Sequence, residues 1–491
     1  MNKRLIVFTL GWVLIFNAGF LLFPALVGLI YQEAAGWSFL ITAGISLAIG
    51  FLFRHFKAKE QHMFSMDGMI IVALSWIVMS LIGALPFVIR TDSSVVQVNY
   101  LDALFETVSG FTTTGATIFS EADAGGIYYN IPHCWMFWRA FTHFVGGIGV
   151  LVFLMAILPL SGAGNMNMMK AESPGPEVGK ILPKVKDSAL TMCAIYLSLT
   201  VIEFICLLIA KMNVFDALTT AFSTAGTGGF STKVNSLADE SAAIQIIVGI
   251  FCILFAINFT YYFLWIVKKA KKAIKMIEVI TFICIVIAAT TIIAFSIRKE
   301  YSVGDGIRYS FFTVASLIST TGFVAMDYST WPIIAHAVIF IIMCIGACAG
   351  STGGGIKVSR IVILNKSLVK GLKAQTHPKR MMRIKMDDQE INHDTVRAVN
   401  TFMTAYLLIF AISFVLVSIQ ETDFTTNLVT VSATLNNVGP YFGSVSSGVN
   451  AFSSYADFSV LSKLVYIFDM LAGRLELFPI LALFAPSSWR K

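Results

Sequence analysis

Thr112-Thr113-Thr114-Gly115-Ala116-Thr117 is the stretch that decides how this chain folds. It follows a short amphipathic segment of about three turns, too short to cross a bilayer. Apolar runs long enough to cross one lie on either side. Three more pieces repeat the arrangement: Gly226-Thr227-Gly228-Gly229, Ser319-Thr320-Thr321-Gly322 and Asn436-Asn437-Val438-Gly439. Their spacing of roughly a hundred residues is too regular for chance and too loose for a tandem solenoid.

The surrounding composition sets the class. Hydrophobic residues make up 57% of the 491, and only 13% are charged, against roughly 25% charged in a soluble domain. The runs 69–88, 189–210, 244–267 and 401–419 are each about 20 mainly apolar residues, enough to span a hydrocarbon core. They are continuous, not alternating, so helices and not barrel strands satisfy their backbone in lipid. The first run, 5–31, is too long for a signal-peptide core and has no small-residue cleavage site in the right place.

The net charge of +7 is a topology signal. With the N-terminus cytoplasmic and each long run crossing once, most Lys and Arg fall on the cytoplasmic side: Arg54, Lys57 and Lys59; Lys170 to Lys186; Lys268 to Lys275; Lys357 to Arg397; Arg490-Lys491. That follows the positive-inside rule and leaves no case for nucleic-acid binding. Multiple passes with both termini cytoplasmic are expected. The seven cysteines lie almost all in apolar spans without a C-x-x-C, and read as small buried hydrophobes.

Two N-terminal helices, 5–31 and 37–56, precede four units of spanning helix, re-entrant segment and spanning helix. The units are 69–89, 100–118 and 133–158; 188–211, 214–232 and 243–267; 277–297, 306–326 and 333–363; 399–419, 426–445 and 461–484. The expected divisions are 1–62 for the helix pair, then 63–160, 161–275, 276–385 and 386–491. Ten spanning helices and four re-entrant ones follow. Each unit has an even number of crossings, so all four share one orientation, unlike inverted transporter repeats. The fold class is therefore an all-α polytopic membrane protein: four parallel pseudo-repeats of helix, pore loop and helix around a central pore. Polar loops at 159–186 and 366–394 separate units, and the second is a solvated loop or a docking surface for a cytosolic subunit.

Glycine suits a strip whose carbonyls turn toward an ion, and Thr adds a hydroxyl on an extended backbone. The short helix before each strip aims its negative end at a cation. A single such site reads as helix packing; four in equivalent positions read as cation coordination. The strips differ in sequence, which predicts weaker K⁺ over Na⁺ discrimination than a symmetric filter.

Below them, Gly346-Ala347-Cys348-Ala349-Gly350-Ser351-Thr352-Gly353-Gly354-Gly355 breaks the third unit's second helix. Three consecutive glycines hold a helix poorly, at about 1 kcal/mol each. Irregular backbone at membrane depth must face protein or water. The stretch is a kink or a mobile constriction of the pore. It is not a phosphate loop, since Ile356 and not Lys follows the glycines. Arg474 lies in the last span with Asp469 and Glu476 nearby, and reads as an ion pair or as a cationic barrier. Arg139, Glu106 and Glu203 read as structural pairs or helix-end groups. His133, His143 and His336 are isolated, and H-E-x-x-H and G-x-S-x-G are absent, so an enzyme is not expected.

The Thr-rich strip, the four helix–loop–helix units and the Gly-rich break resemble the Trk/Ktr/HKT potassium transporters. The length and the extra helix pair resemble the TrkH/TrkG branch. The resemblance covers essentially the whole chain. It implies K⁺ as the transported ion, bound by backbone oxygens around Thr113-Thr114, Thr227-Gly228, Thr320-Thr321 and Asn437-Val438, before Gly115, Gly229, Gly322 and Gly439. In the second strip Gly228 or Gly229 is the equivalent glycine; register with Leu101-Asp102-Ala103-Leu104 and Phe215-Asp216-Ala217-Leu218 favours Gly229. The resemblance implies a moving loop at Gly346, Gly350, Gly353, Gly354 and Gly355 beside Arg474. It also implies a homodimer with a cytosolic TrkA-like nucleotide-binding regulatory subunit. This chain has no nucleotide motif and needs no cofactor of its own. Coupled K⁺/H⁺ or K⁺/Na⁺ symport is the alternative to uncoupled conduction.

Overall fold

A computed structural model of the chain describes residues 2–486, except 57–64, 93–94, 120–130, 150–184, 377–382, 388, 420–422, 443, 446–447 and 450–453. The distal part of the first unit's second helix and the linker 159–186 lie almost wholly outside these residues.

The molecule buries a set of polar groups at its centre and exposes apolar residues on its outside. Thr112, Thr114, Thr320, Thr321, Asn436 and Asn437 are fully buried, while Ile209, Ile287, Ile333 and Leu407 are exposed at 60% or more. In water that arrangement exposes large apolar patches; in lipid the outer face is solvated and the interior holds hydrogen-bonded polar groups.

Helices α1 (Lys3–Ile30) and α2 (Gly36–Arg54) form an N-terminal hairpin. The two pack closely where Gly28 meets Gly36 and Gly11 meets Gly50, as small residues allow in membranes. The first unit has α3 (Ser65–Gly83), α4 (Leu85–Val88), α5 (Tyr100–Phe111) and α6 (His133–Ile148). The second has α7 (Val185–Ile209), α8 (Val214–Ala225), α9 (Ala242–Ala256), α10 (Phe259–Ile266) and α11 (Ala270–Ala273). The third has α12 (Ile277–Ser296), α13 (Val303–Ile318), α14 (Ile333–Ile345) and α15 (Val358–Thr376). The fourth has α16 (His393–Val417), α17 (Phe424–Leu435), α18 (Val460–Arg474) and α19 (Phe478–Phe484). Two small hairpins, Lys385–Met386 with Gln389–Glu390 and Ser444–Val445 with Gly448–Val449, are the sheet structure among the described residues.

The re-entrant helices α5, α8, α13 and α17 begin alike. Asn99, Asn213, Ser302 and Asp423 each cap the helix by accepting a backbone N–H two or three residues on. They are 12, 12, 16 and 12 residues long, so each stops inside the membrane.

The second helices of the units differ from the continuous spans expected. Among the described residues six helices are long and apolar enough to cross alone. Instead of one span over 243–267, α9 and α10 meet at 86°. Asn258 caps α10, while the Ala256 carbonyl accepts from Cys348 N–H at 3.0 Å and Phe259 N–H donates to the Gly350 carbonyl at 3.0 Å. Those tertiary bonds replace the helical ones. The last span, expected over 461–484, also breaks: Glu476 and Leu477 have φ of 58° and 65°, and α19 restarts at Phe478-Pro479. Arg474 is therefore the last residue of α18, not a mid-helix residue.

Candidate ion-conduction site

The four re-entrant helices end in one backbone conformation despite four different sequences. Thr114, Gly228, Thr321 and Val438 donate their N–H groups back to Ser109, Ser223, Ser316 and Ala433 at 2.9, 2.9, 2.9 and 2.8 Å. Thr113, Thr227, Thr320 and Asn437 donate to Gly110, Thr224, Leu317 and Thr434. This is the Schellman pair of bonds, and it forces the second residue of each strip into the left-handed region. Accordingly Thr113, Thr227, Thr320 and Asn437 have φ of 54°, 55°, 60° and 55°. Glycine is usual there, and a β-branched residue is strained. The conformation recurs at all four equivalent positions, with a strained Thr at three of them and Asn437, which tolerates it better, at the fourth.

Two residues on, Gly115, Gly229, Gly322 and Gly439 have φ of 79°, 76°, 83° and 91°. A Cβ on Gly115 would strike the carbonyl oxygen of Gly228; on Gly229, that of Thr321; on Gly322, that of Val438; on Gly439, that of Thr114. The contacts run from strip one to two, two to three, three to four and four back to one. The ring is closed, and every step pairs a glycine with the carbonyl preceding the next glycine. Gly229, not Gly228, is thus the equivalent glycine of the second strip. The four glycines line one cavity of about 70 Å³, together with Thr117, Phe230, Arg139, Lys233 and Tyr455.

Outside the ring, polar side chains fix the strips. Glu106 accepts from Arg139 Nε at 2.6 Å, Ile118 N–H at 2.9 Å and Thr117 Oγ1 at 3.0 Å, and Arg139 Nη1 donates to the Ser231 carbonyl at 3.2 Å. The Arg139–Glu106 pair is buried and structural, as its sequence context implies. Glu203 is different: it is fully buried in the last two turns of α7, beside Thr224 and without a basic partner among the described residues. Tyr455 Oη donates to the Gly439 carbonyl at 2.8 Å, and Asn437 Nδ2 bridges Thr114 Oγ1 and the Met470 carbonyl, each at 2.9 Å.

Directly beneath sits the Gly-rich loop between α14 and α15. Gly354 N–H donates to Thr320 Oγ1 at 2.6 Å, and Gly354 packs on the Asn436 carbonyl with no room for a side chain. Gly353 is as closely packed against the Ser319 carbonyl. Gly346, Gly350 and Gly355 have φ of 71°, 66° and 79°, which is how the chain reverses here without helix. Arg474 reaches the loop from the fourth unit: Nη1 donates to the Thr352 carbonyl at 2.7 Å and Nη2 to the Gly146 carbonyl at 2.6 Å. The nearby acids have other partners, Glu476 with Arg360 and Asp469 with Ser413. All the residues expected at the filter and at the loop therefore meet in one stack, cavity above and loop below.

A family model described as TrkH, a cation transport protein, matches residues 38–491. This chain belongs to the TrkH family. It is 34% identical over 500 residues to the Trk system potassium uptake protein TrkH of Escherichia coli strain K12, with all of both chains covered. It is 32% identical over 476 residues to the Trk system potassium uptake protein TrkG of the same organism, covering 95% of this chain and 94% of TrkG. The crystal structure of the potassium transporter TrkH from Vibrio parahaemolyticus superposes with a TM-score of 0.87 at 32% identity, over 100% of each chain. The resemblance drawn from the strips is thereby borne out, and the relatives are transport proteins by name, not enzymes.

Within this TrkH-family chain, several residues beside the loop escaped sequence reading. Lys357 counts toward the positive-inside bias, yet it is 1% exposed, has φ of 82° and donates Nζ to the Gly353 carbonyl. Arg360, likewise buried, pairs with Glu476. Glu278, in the first turn of α12, accepts from Ala349 N–H at 2.6 Å and Ser359 N–H at 3.2 Å. It holds both flanks of the loop with one carboxylate. The signal for Glu278 was available, as an acid opening an apolar run. Lys357 had none, because a lysine after a helix break looks like any cytoplasmic lysine.

Proposed function

We propose that this chain carries K⁺ inward across the bacterial inner membrane through the ring of four strips. The closed cycle of glycine-to-carbonyl contacts carries this reading. A dehydrated K⁺ needs several oxygens at once, and backbone carbonyls on a ring supply them without the ion pairing that a carboxylate would impose. The ion-binding residues are Thr113, Thr114 and Gly115; Thr227, Gly228 and Gly229; Thr320, Thr321 and Gly322; and Asn437, Val438 and Gly439. The C-terminal ends of α5, α8, α13 and α17 add negative partial charge around the cavity. Oxyanions are repelled by the same field.

The loop with Gly346, Gly350, Gly353, Gly354 and Gly355 is the gate. It sits against the third and fourth strips, and its bond to Thr320 must break for an ion to pass. Arg474 holds Thr352 and adds a positive charge beneath the ring, which raises the energy of a cation there. A cytosolic TrkA-like nucleotide-binding subunit controls the loop, and two copies of the chain assemble in the membrane. The five divisions at 1–62, 63–160, 161–275, 276–385 and 386–491 are the functional units of this scheme. Rubidium uptake into proteoliposomes with Na⁺ competition tests the reading. Uptake driven by membrane potential and resistant to excess Na⁺ supports it; equal inhibition by Na⁺ and K⁺ sinks the assignment of a K⁺ filter.

One observation favours coupled K⁺/H⁺ symport as a second reading: a carboxylic acid, Glu203, fully buried within the α7 span with no cation paired to it among the described residues. A reversal potential that shifts with pH at fixed K⁺ selects symport, and one indifferent to pH removes it.

A further inference from the structure

We propose that the basic turn joining α9 to α12 binds anionic lipid headgroups, and that this contact holds the Gly-rich loop in its place under the strips. The second half rests on the reading of that loop as the gate.

The turn has the make-up of an interfacial element. Helix α9 is 15 residues, about 22 Å, and so ends short of the far edge of a core about 30 Å thick. Its 86° bend sends α10 along the membrane plane when α9 stands across it. Helix α10 carries Tyr261, Tyr262 and Trp265, residues that favour the membrane–water boundary. Trp265, Ile266 and Val267 are exposed at 49%, 66% and 43%. Immediately after them come Lys268, Lys269, Lys271, Lys272 and Lys275, all exposed. No acidic residue occurs between Glu240 and Glu278. The Asp387 carboxylate reaches the far end of the turn, accepting from Ile277 N–H at 2.8 Å, against five exposed lysines. Exposed apolar groups followed at once by that excess of lysines match an interface of acyl chains and anionic phosphates. A soluble partner would have to cover Trp265, Ile266 and Val267 as well; a bilayer accommodates both halves together.

Both ends of the turn are fastened to the loop. On the α9 side, Cys348 N–H donates to the Ala256 carbonyl and Phe259 N–H to the Gly350 carbonyl, each at 3.0 Å, and Thr352 Oγ1 donates to the Phe255 carbonyl at 3.2 Å. On the α12 side, Glu278 accepts from Ala349 and Ser359. Asn258 Nδ2 links the two sides through Glu278 Oε2 at 3.4 Å. A force on the lysines reaches the loop through both attachments. The loop in this conformation closes on Thr320, and a headgroup that holds the lysines at the positions they have here favours the closed arrangement through those attachments.

The test uses the full chain in vesicles of phosphatidylcholine alone and of phosphatidylcholine with phosphatidylglycerol. One variant has Lys268, Lys269, Lys271, Lys272 and Lys275 changed to Gln; a control has Lys370→Gln and Lys373→Gln. Trp265 emission, taken as the difference from Trp265→Phe, is quenched with brominated forms of each lipid. We expect stronger quenching by brominated phosphatidylglycerol in the unmodified chain and in the control, and no such preference in the five-Gln variant. Basal rubidium flux should fall about threefold with phosphatidylglycerol in the unmodified chain and stay constant in the five-Gln variant. Equal quenching by the two lipids overturns lipid binding, and a flux that still responds to phosphatidylglycerol in the five-Gln variant overturns the coupling. Equal quenching together with lost binding of a cytosolic subunit by the five-Gln variant assigns the turn to a protein instead. Absence of rubidium flux in every vesicle sinks the transport reading and the coupling with it, while quenching still decides lipid contact.

Discussion

The ring of strips and the layer directly below it obey opposite rules. In the ring, four different sequences adopt one conformation: the left-handed residue, the Schellman bonds and the glycine recur in every unit. Below it, four related helices end in four ways. Helix α6 stops at Gly149 with φ of 79°, α9 bends by 86°, α14 gives way to the Gly-rich loop, and α18 ends at Arg474. On the proposed reading, ion coordination needs the units to be alike, since the four carbonyls would face one ion. A single movable barrier needs only one unit to supply a loop and the others to hold it.

That contrast is open to attack from both sides. The largest effect is expected at the ring. Gly322→Ser places a side chain on the Val438 carbonyl at φ of 83°, so uptake should vanish or lose its preference for K⁺, and Gly115→Ser should do the same. A change at one unit only, with the other three tolerant, would show that the ring is not shared equally.

The lower layer should respond in the opposite direction. Arg474→Ala, or deletion of residues 350–354, should raise basal flux, because the first removes a hold on the loop and the second the part of the loop that meets the strips; unchanged flux would remove these residues from gating. Glu278→Gln should raise it less. It keeps the shape of the acceptor but weakens its charge-assisted bonds to Ala349 and Ser359, each worth about 1.5–3 kcal/mol, along with the longer one to Asn258. Thr320→Val removes only the acceptor of Gly354 N–H, about 1 kcal/mol, and an increase of about fivefold in basal flux is the result expected. Smallest of all is Thr113→Gly. Its hydroxyl has no partner among the described residues, and relief of left-handed strain roughly balances the added chain entropy. Uptake should stay within about twofold, with little change in thermal stability.

The sequence made the ring legible because repetition multiplies a weak signal. Thr112 to Gly115 alone is ambiguous, and its match to the other three strips is not. Even the choice of Gly229 over Gly228 follows from register. The breaks in α9 and α18 were hidden for a physical reason. Residues 243–267 read as one span, and the bonds that bend it come from Cys348 and Gly350 in another unit. Leu475-Glu476-Leu477 contains no glycine, and Pro479 follows only at the second residue of α19. Lys357 and Glu278 are placed by the loop's tertiary path, which no local pattern encodes. Membership of the TrkH family was readable from the strips and the unit count together.

The central claim is that four unlike strips form one K⁺-selective ring. The most direct measurement is the reversal potential under opposed K⁺ and Na⁺ gradients, taken for the unmodified chain and for Gly322→Ser. The account predicts a potential near that of K⁺ for the unmodified chain, and a shift toward that of Na⁺, or loss of current, in the variant. An unshifted potential with normal current in Gly322→Ser would contradict it.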